Sequence, residues 1–469
     1  MHRVTLPLLL LVACGGEETE PTAATSEATW HADVAPVVAS RCGSCHQPDG
    51  IGPFPLTTYA EVVAMAGPVE HSITSGSMPP WQGGDDCNEY SNDTSLRPDE
   101  KELLLDWLAG GTPEGDAASA APLAERPPFQ ADLLLPLPEP YTPTREPDDY
   151  RCQLVEWPLD ETAWITGLAV EPDQQAIVHH TIVFAVAAET AEQYRGYDAA
   201  EDGPGYTCFG GPFPASEDHV DRSDWSIADL QEAVASGEFE PGLGGARWLG
   251  AWVPGAPSGA FPEGTGLRME PGELLVVQMH YNTQSAVPVA DRSSVAVQVA
   301  DAVEREAVAA PLADLGWLTG IDLLGGPMTI PAGADDVSHT FRARADSPYF
   351  DSARDVLGLG SADPLVIHNV GHHMHLLGKT GHQSVAHADG SETCLLDIPA
   401  WDFGWQGGFA LAEPVAMQPD DELVLTCSWD NSQANQPEVD GEQQPTRDVA
   451  WGEGSTDEMC LSTLYLTGP

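Results

Sequence analysis

The sequence predicts a multidomain protein in which a small all-α domain is followed by two all-β, jelly-roll-like sandwich domains. Three observations lead to this fold class. The chain has 469 residues, which is too long for one ordinary domain. A capped amphipathic helical pattern lies before residue 116. After residue 147, short apolar runs separated by turn residues replace that periodicity, so we expect the chain to change there from helix to sheet.

The N-terminal stretch is typical of an exported protein. Arg3 provides a basic start, and an apolar core ends in Leu-Val-Ala before Cys14. This ending is similar to the lipobox of bacterial lipoproteins. We therefore expect a signal peptide at residues 1–13, lipidation of Cys14 and a flexible tether at 14–29, with membrane contact only through the lipid anchor. A plain signal peptide is the alternative, and Gly15 favours the outer membrane, facing the periplasm or the cell surface.

The charge of the chain excludes one class of partner. Acidic side chains number 73 against 18 basic ones, which gives a formal net charge of -55. A surface this negative repels nucleic acid and anionic membranes. We therefore expect no nucleic-acid partner, and the charge suits a salty medium or docking to a basic partner.

A short motif predicts covalent haem attachment. Cys42, Cys45 and His46 form C-x-x-C-H, in which two thiols bond to the haem and the imidazole binds its iron. A zinc or redox C-x-x-C site is the competing interpretation, but export and the adjacent histidine argue against it. Met78 follows in a proline-rich loop and would complete His/Met ligation, with Met65 as its nearest competitor.

An amphipathic helix closes this first region. Its apolar residues fall at helical spacing and two glycines end it, at Gly110 and Gly111. Together with the haem motif and the methionine loop, it resembles a small class I cytochrome c. The resemblance implies an all-α haem domain at residues 30–116. The Pro- and Ala-rich residues 117–146 are expected to form a linker.

The remaining chain is predicted to be β-rich. Runs such as AIVHHTIVFAV, ELLVVQMHYN and ELVLTCSWDN are separated by Pro-Gly, Asp-Gly and Gly-Gly pairs, which is typical of sandwich or jelly-roll domains. One helix is expected among them, at DWSIADLQEAVASG. Because this part is long for one sandwich, we expect two in tandem, at residues 147–305 and 306–469.

Five histidines on these strands are candidate metal ligands: His179, His180, His280, His373 and His375. His373 and His375 alternate along an apolar strand, so their side chains share one face and can hold one ion, while His372 faces the opposite side. The neighbours His179 and His180 can share an ion only if a bulge or strong twist re-aims one of them. For each histidine alone, an ordinary hydrogen-bonded imidazole is the simpler interpretation.

The sequence near the C-terminus favours copper over a structural zinc ion. Imidazole binds both metals, but a thioether ligand selects Cu(I). Met459 lies beside Cys460, and pairing of Cys460 with Cys427 on a neighbouring strand would fix the methionine in place. Two imidazoles and one thioether form a soft, redox-active site.

Four motifs in order strengthen this interpretation. VHH, MHYN, HMHLLGK and EMC resemble the copper type II, ascorbate-dependent monooxygenase family, which includes peptidylglycine α-hydroxylating monooxygenase and dopamine β-monooxygenase. The resemblance covers residues 147–469 and implies two jelly-roll-like domains with two copper ions. It implies an electron-transferring copper bound by His179, His180 and His280. It implies a catalytic, oxygen-activating copper bound by His373, His375 and Met459.

The cysteines of an exported protein are expected to pair. Six remain besides those assigned to lipid and haem: Cys87, Cys152, Cys208, Cys394, Cys427 and Cys460. Cys427–Cys460 matches the family's disulfide beside the methionine, and Cys152–Cys208 is the expected pair in the first sandwich. Cys87 and Cys394 are either free or staple the haem domain to the second sandwich.

The resemblance to the peptide-amidating branch of the family is incomplete. That branch has arginine two residues before the first histidine of H-x-H, where this chain has Gly371. It has Asn and Tyr shortly after the methionine, where this chain has Leu461 and Thr463. These departures disfavour a glycine-extended peptide as the substrate.

The sequence thus predicts an enzyme, a copper-dependent monooxygenase that hydroxylates a C–H bond of a small organic substrate with O2. The haem on the same chain would relay electrons from a periplasmic or extracellular donor. One alternative is a copper- and haem-binding electron-transfer lipoprotein without oxygenase activity. A second alternative is a carbohydrate- or surface-binding module in which the histidines are incidental.

Overall fold

The computed structural model describes most of the chain after residue 27. The described residues are 28–48, 52–84, 86–123, 129–208, 211–214, 226, 245–253, 259–283, 286–321, 326–439, 442–452 and 454–469. The expected signal peptide and Cys14 lie outside them, as does the helix expected at DWSIADLQEAVASG apart from Ser226. Within the described part, no helix is both long and apolar enough to span a membrane.

The helices of the described residues are short. They are α1 (Ala35–Arg41), α2 (Tyr59–Ala64), α3 (Ala66–Ser75), α4 (Pro98–Ala109), α5 (Ala191–Ala200), α6 (Leu315–Thr319) and α7 (Asp351–Leu357). Single turns of π- or 3-10 helix occur at Trp30–Val34, Ala117–Ser119, Pro348–Phe350 and Gln433–Asn435. A capping box begins α2, where Thr58 and Glu61 each satisfy the other's main-chain N–H.

Three large sheets and two small ones make up the rest of the described fold. The eight-stranded sheet has the order β1 (Leu133–Pro136), β9 (Ser294–Ala300), β3 (Ala163–Glu171), β7 (Thr265–Met269), β10 (Arg305–Leu312), β21 (Leu461–Thr467), β13 (Leu365–His373) and β16 (Gly408–Met417). The five-stranded sheet has the order β5 (Tyr206–Thr207), β2 (Asp148–Glu156), β8 (Leu274–Asn282), β4 (Val178–Val186) and β6 (Arg247–Trp252). The four-stranded sheet has the order β12 (Val337–Arg344), β17 (Glu422–Trp429), β14 (Gly378–Ala386) and β15 (Glu392–Ile398). The two-stranded sheets are β11 (Thr329–Ile330) with β20 (Val449–Ala450), and β18 (Glu438–Val439) with β19 (Glu442–Gln443).

The eight-stranded sheet contributes to two hydrophobic cores. Its β3 and β7 pack against the five-stranded sheet, where Ile165 and Leu267 meet Val183 and Val277. Its β13 and β21 pack against the four-stranded sheet in a second core. β10 joins the two halves, because it pairs in parallel with β7 and antiparallel with β21.

This architecture corrects the predicted fold class. Strands account for 36% of the described residues and helices for 18%, and no separate small all-α cytochrome domain is evident at their N-terminal end. The two expected sandwiches at residues 147–305 and 306–469 stay a prediction, and one eight-stranded sheet contains strands from both ranges. Hydrophobic periodicity indicates strands but does not show which strands share a sheet.

The residues between α3 and α4 explain why the helices are not a separate domain. Residues 81–84 and 86–92 leave the helices and lie along β15 and β16: Tyr90 bridges Leu411, and its hydroxyl donates to the carbonyl of Leu395. Tyr90 is buried in the core of the four-stranded sheet, and Trp81 packs against that core. The helical segment and the β-rich part are therefore built into each other.

Three disulfides link six of the described cysteines. Cys152–Cys208 and Cys427–Cys460 are the pairs expected from the sequence, and both are confirmed. Cys87–Cys394 joins residues that are 307 positions apart and links the segment that contains Tyr90 to β15. The staple between the N-terminal region and the second half therefore exists.

Candidate functional site

The three-histidine cluster, formed by His179, His180 and His280, depends on an irregularity in β4. β4 pairs antiparallel with β8, and Val178 lies opposite Tyr281 while His180 lies opposite His280. The register shifts by one residue between these pairs, so His179 is the extra residue of a β-bulge. The bulge required for two adjacent histidines to share an ion is therefore present.

Three ring nitrogens converge in this cluster. Nδ1 of His179 lies 3.4 Å from Nδ1 of His180 and 3.2 Å from Nδ1 of His280, and the last two nitrogens are 3.1 Å apart. Nitrogens at these separations lie on a circle of about 1.9 Å radius, so an ion slightly above their plane would reach the distance of about 2.0–2.1 Å found in zinc–imidazole bonds. Among the described residues, only this group brings three or more His, Cys, Asp or Glu ligand atoms within 4.8 Å of one another.

Two side chains hold His280 in the cluster. Its Nε2 donates to Oδ1 of Asp148 at 2.8 Å, which leaves the Nδ1 lone pair directed toward the other histidines. Tyr150 stacks on the same ring, with centroids 4.2 Å apart and planes 5° from parallel. Burial raises the pKa of Asp148, but hydrogen bonds from His280, Asn282 and Ser455 outweigh burial and bring that pKa below its usual value.

The other two rings of the cluster are neutral near neutral pH. Burial, followed by the neighbouring His280, lowers the pKa of His179 to about 4. Burial, followed by the surrounding histidines, puts the pKa of His180 well below its ordinary value. Neutral imidazole is the form that binds a metal ion.

The second histidine pair, His373 and His375, lies where β13 ends. The two ring centroids are 4.9 Å apart and the planes are nearly perpendicular, at 84°. His375 Nδ1 lies 3.2 Å from the carbonyl oxygen of Asp457, and His373 Nδ1 hydrogen-bonds to Oε1 of Gln406. Because an Nδ1–H donates in each case, Nε2 of each ring carries the lone pair that can bind a metal.

Met459 follows Glu458, whose side chain accepts a hydrogen bond from the main-chain N–H of His375. β21 begins two residues after Met459 and pairs antiparallel with β13, where Leu461 lies opposite His373. These contacts bring the chain segment of Met459 beside the second pair. Met459 is buried, with 8% of its surface exposed.

A buried carboxylate positions the second pair, and the sequence did not single it out. Glu458 accepts hydrogen bonds from the main-chain N–H groups of His375 and Leu377, at 2.9 and 2.6 Å, and from the indole of Trp429 at 2.8 Å. Burial raises the pKa of Glu458 to about 7, and these hydrogen bonds oppose the rise. Glu458 thus fixes the turn that carries His375 against the segment that carries Met459.

His372 lies on the opposite side of β13, as strand alternation predicts. Its Nδ1 is 3.1 Å from Nε2 of Gln383, and its Nε2 is 3.4 Å from Sγ of Cys427. Burial lowers its pKa to about 3. His372 therefore packs against the Cys427–Cys460 disulfide rather than joining the second pair.

The bridging loop, residues 399–407 between β15 and β16, connects the two histidine sites. The Phe403 ring lies 5.8 Å from the ring of His179 and 5.9 Å from the ring of His375, measured between centroids. Trp401 donates its indole N–H to the carbonyl of His375 at 3.1 Å. The two sites are therefore neighbours across a single phenylalanine, and the loop forms the wall between them.

The haem motif lines a cavity of about 230 Å³. Cys42, Cys45, His46 and Met78 all contribute to its lining, so the four predicted haem residues meet at one place. His46 Nδ1 lies 2.9 Å from the carbonyl oxygen of Phe54, which leaves Nε2 as the ligand atom. Cys42 and Cys45 take part in none of the three disulfides.

The chemistry of Cys42 favours a neutral sulfur at this place. Burial, followed by the charge of the neighbouring Cys45, raises the pKa of Cys42 to about 11. A zinc site would need thiolates, whose charge the apolar surroundings disfavour. A thioether carries no charge, so these residues fit a covalently attached haem better than a zinc ion.

Residues of the bridging loop line the same cavity. Trp405 and Gln406 contribute to its surface together with the haem motif. Gln406 also accepts the hydrogen bond from His373, so one side chain borders the cavity and the second histidine pair. The sequence of the bridging loop contains no motif that predicts a catalytic or metal-binding role.

Sequence reasoning missed the residues that support the ligands. Asp148, Gln406 and Glu458 each lie far along the chain from most of the groups that they position. Of the three, Glu458 had a local signal, because it lies inside the EMC motif directly before Met459. Asp148 and Gln406 lie in segments with no metal-binding pattern, and only the three-dimensional structure reveals their contacts.

Comparisons with known proteins are uninformative for this chain. No family model matches it, and no curated protein matches it. Among solved structures, it is similar to the infectious bursal disease virus VP2 subviral particle at 9% identity, over 72% of each chain, with a TM-score of 0.17. It is similar to a secreted protein from Parabacteroides distasonis at 6% identity, over 72% of this chain and 88% of that chain, with a TM-score of 0.14. Similarity this low carries no argument.

Proposed function

We propose that the protein is a copper-dependent monooxygenase that hydroxylates a C–H bond of a small organic substrate, with electrons relayed by a covalently bound haem. The observation that carries the proposal is the convergence of three Nδ1 atoms next to a second histidine pair. The motif resemblance to the copper type II monooxygenases supports the same conclusion. Zinc also suits three imidazoles, but it has no redox chemistry to combine with a haem.

The residues of the three-histidine cluster fit a copper ion. Three imidazoles present Nδ1 atoms at metal-binding separations, and Asp148 fixes the orientation of His280. The bulge in β4 and the stacking of Tyr150 fix the orientation of the rings. A fixed arrangement of ligands suits a site that gains and loses one electron. In the proposed enzyme, this cluster stores an electron.

The second pair would form the oxygen site together with Met459. His373 and His375 offer two Nε2 atoms, and a thioether would add a soft ligand that favours Cu(I). Copper held there supplies the activation of O2 and the oxidation of a C–H bond. Phe403 lies nearly perpendicular to the ring of His375, with centroids 5.9 Å apart, and would help to exclude water from that imidazole.

The N-terminal cavity would hold the haem. Cys42 and Cys45 would bond to it, while His46 and Met78 would supply the two axial ligands. Haem bound there supplies single electrons to the copper sites. A protein anchored outside the cytoplasm through Cys14 would take those electrons from a periplasmic or extracellular donor.

Metal analysis and labelled oxygen test the proposal on the full chain. We expect two copper ions and one haem per chain, and we expect product carrying one atom from ¹⁸O2 in a screen of small aliphatic and aromatic substrates supplied with a reductant. A chain that binds no copper would contradict the proposal. Two copper ions and one haem without labelled product would instead favour the electron-transfer lipoprotein.

A further inference from the structure

Gln406 occupies a position between two sites that the sequence treats as separate. Its side chain accepts a hydrogen bond from Nδ1 of His373, and its own Nε2 donates to the carbonyl of Phe403 at 3.1 Å. The same residue lines the cavity that contains Cys42, Cys45 and His46. The second histidine pair is thus one hydrogen bond away from the cavity wall.

The three-histidine cluster has no such connection in the described residues. None of its members lines the cavity. Its contact with the bridging loop is the ring of Phe403 against His179, on the side of the loop that also meets His375. The cavity is therefore connected to the second pair through a single hydrogen-bonded side chain, and no such connection joins it to the three-histidine cluster in the described residues.

The bridging loop is fastened to the segment that carries the cavity. Gln82 hydrogen-bonds to the carbonyls of Asp402 and Trp405 and accepts from the Asp402 N–H at 3.1 Å. Asn92 donates to the carbonyl of Gly408 at 2.8 Å. With the Cys87–Cys394 disulfide, these bonds hold Gln406 at a fixed place between the cavity and His373.

We propose that Gln406 is the positioning residue for electron entry, so that electrons from the haem enter at His373 and not at the three-histidine cluster. This inference rests on the proposed function. With haem in the cavity and copper at the second pair, each transfer would take one electron from Fe(II), leaving Fe(III), and would convert Cu(II) to Cu(I). An external one-electron donor would then restore Fe(II).

Anaerobic stopped-flow spectroscopy tests the order of entry. Full-length protein with both coppers oxidised is mixed with one equivalent of dithionite-generated electrons, and haem re-oxidation and the loss of the Cu(II) EPR signal are followed. We expect Gln406→Leu to slow haem re-oxidation by about 10-fold or more, as loss of a partner that orients a metal-bound histidine typically does. Gln406→Glu keeps an acceptor for His373 and should restore most of the rate. Gln443→Leu, at an exposed position, is the matched control.

Two further variants identify the entry site. His180→Ala should keep the fast phase of haem re-oxidation, and His373→Ala should lose it. The reverse pattern, or an unchanged rate in Gln406→Leu with haem spectrum and copper content intact, would overturn the inference and leave the proposed function standing. Absence of copper or haem in the unmodified protein would instead overturn the proposed function itself.

Discussion

The two histidine sites of the molecule are held in place by different kinds of groups. In the three-histidine cluster, side chains provide the support: Asp148 accepts from His280, and Tyr150 stacks on its ring. In the second pair, His375 is held largely by the main chain, through the carbonyl of Asp457. The cluster brings three Nδ1 atoms together, whereas the second pair leaves Nε2 atoms available.

This difference follows from where each site lies on its strand. The cluster lies within the paired part of β4 and β8, where main-chain groups are already used by the ladder, so only side chains can orient the rings. The second pair lies where β13 ends, and there unpaired carbonyls and N–H groups can bind side chains.

Replacing His375 with alanine tests the reactive role and should have the largest effect. We expect hydroxylation to fall by more than about 100-fold, beyond the 10–100-fold that supporting residues contribute. Copper content should fall from two ions per chain to one. His372→Ala removes a neighbouring histidine on the opposite face and should retain two copper ions. Full activity in His375→Ala would assign the reaction elsewhere.

Two aspartates separate side-chain support from main-chain support. Asp148→Asn removes the charge that orients His280, so copper affinity at the three-histidine cluster should fall by about 10–100-fold in chelator competition. Asp457→Asn makes the same charge change beside the second pair, but the carbonyl that binds His375 remains. We therefore expect Asp457→Asn to leave both copper affinities unchanged. Equal losses of copper affinity in the two variants would show that the charge of the carboxylate, and not the orientation of the imidazole, determines copper binding.

Glu458 provides the exception to main-chain support and should contribute to stability. In Glu458→Gln, an amide N–H2 must face at least one of the buried N–H donors that the carboxylate now accepts. An unpaired buried donor costs about 1–3 kcal/mol, so the free energy of unfolding in urea should fall by that amount. Glu413→Gln, on the exposed side of β16, should change it by no more than about 0.5 kcal/mol. Equal stability of the two variants would contradict this role.

Local sequence patterns predicted the parts of these sites that are local in the chain. Strand alternation places His373 and His375 together and His372 apart, and adjacency alone shows that His179 and His180 need the bulge that β4 contains. The inferences about the histidines need only the geometry of a strand. Export makes pairing of the cysteines the default, but the pair beside the methionine also matched the family resemblance, and the pair that joins the N-terminal region to β15 was one of two open alternatives.

The fold as a whole could not be predicted in this way. Residues 81–84 and 86–92 have no strong strand pattern, yet they lie against β15 and β16 and merge the helical segment with the sheets. Nothing in the bridging loop indicates that Phe403 and Gln406 lie between groups of residues that are far apart along the chain. Contacts of this kind depend on which strands share a sheet, and that information is not periodic along the chain.

Stacking of Tyr150 on His280 should contribute least to the difference between the sites. An aromatic pair adds about 0.5–1.5 kcal/mol beyond the area that it buries. Tyr150→Leu should therefore weaken copper binding at the three-histidine cluster more than Tyr150→Phe does, because phenylalanine keeps the ring and leucine does not. Calorimetric copper titration of both variants measures that difference, and affinity at the second pair serves as the internal reference. If the two variants bound copper equally, Asp148 alone would orient His280, and the stacked ring would contribute nothing to copper binding at the cluster.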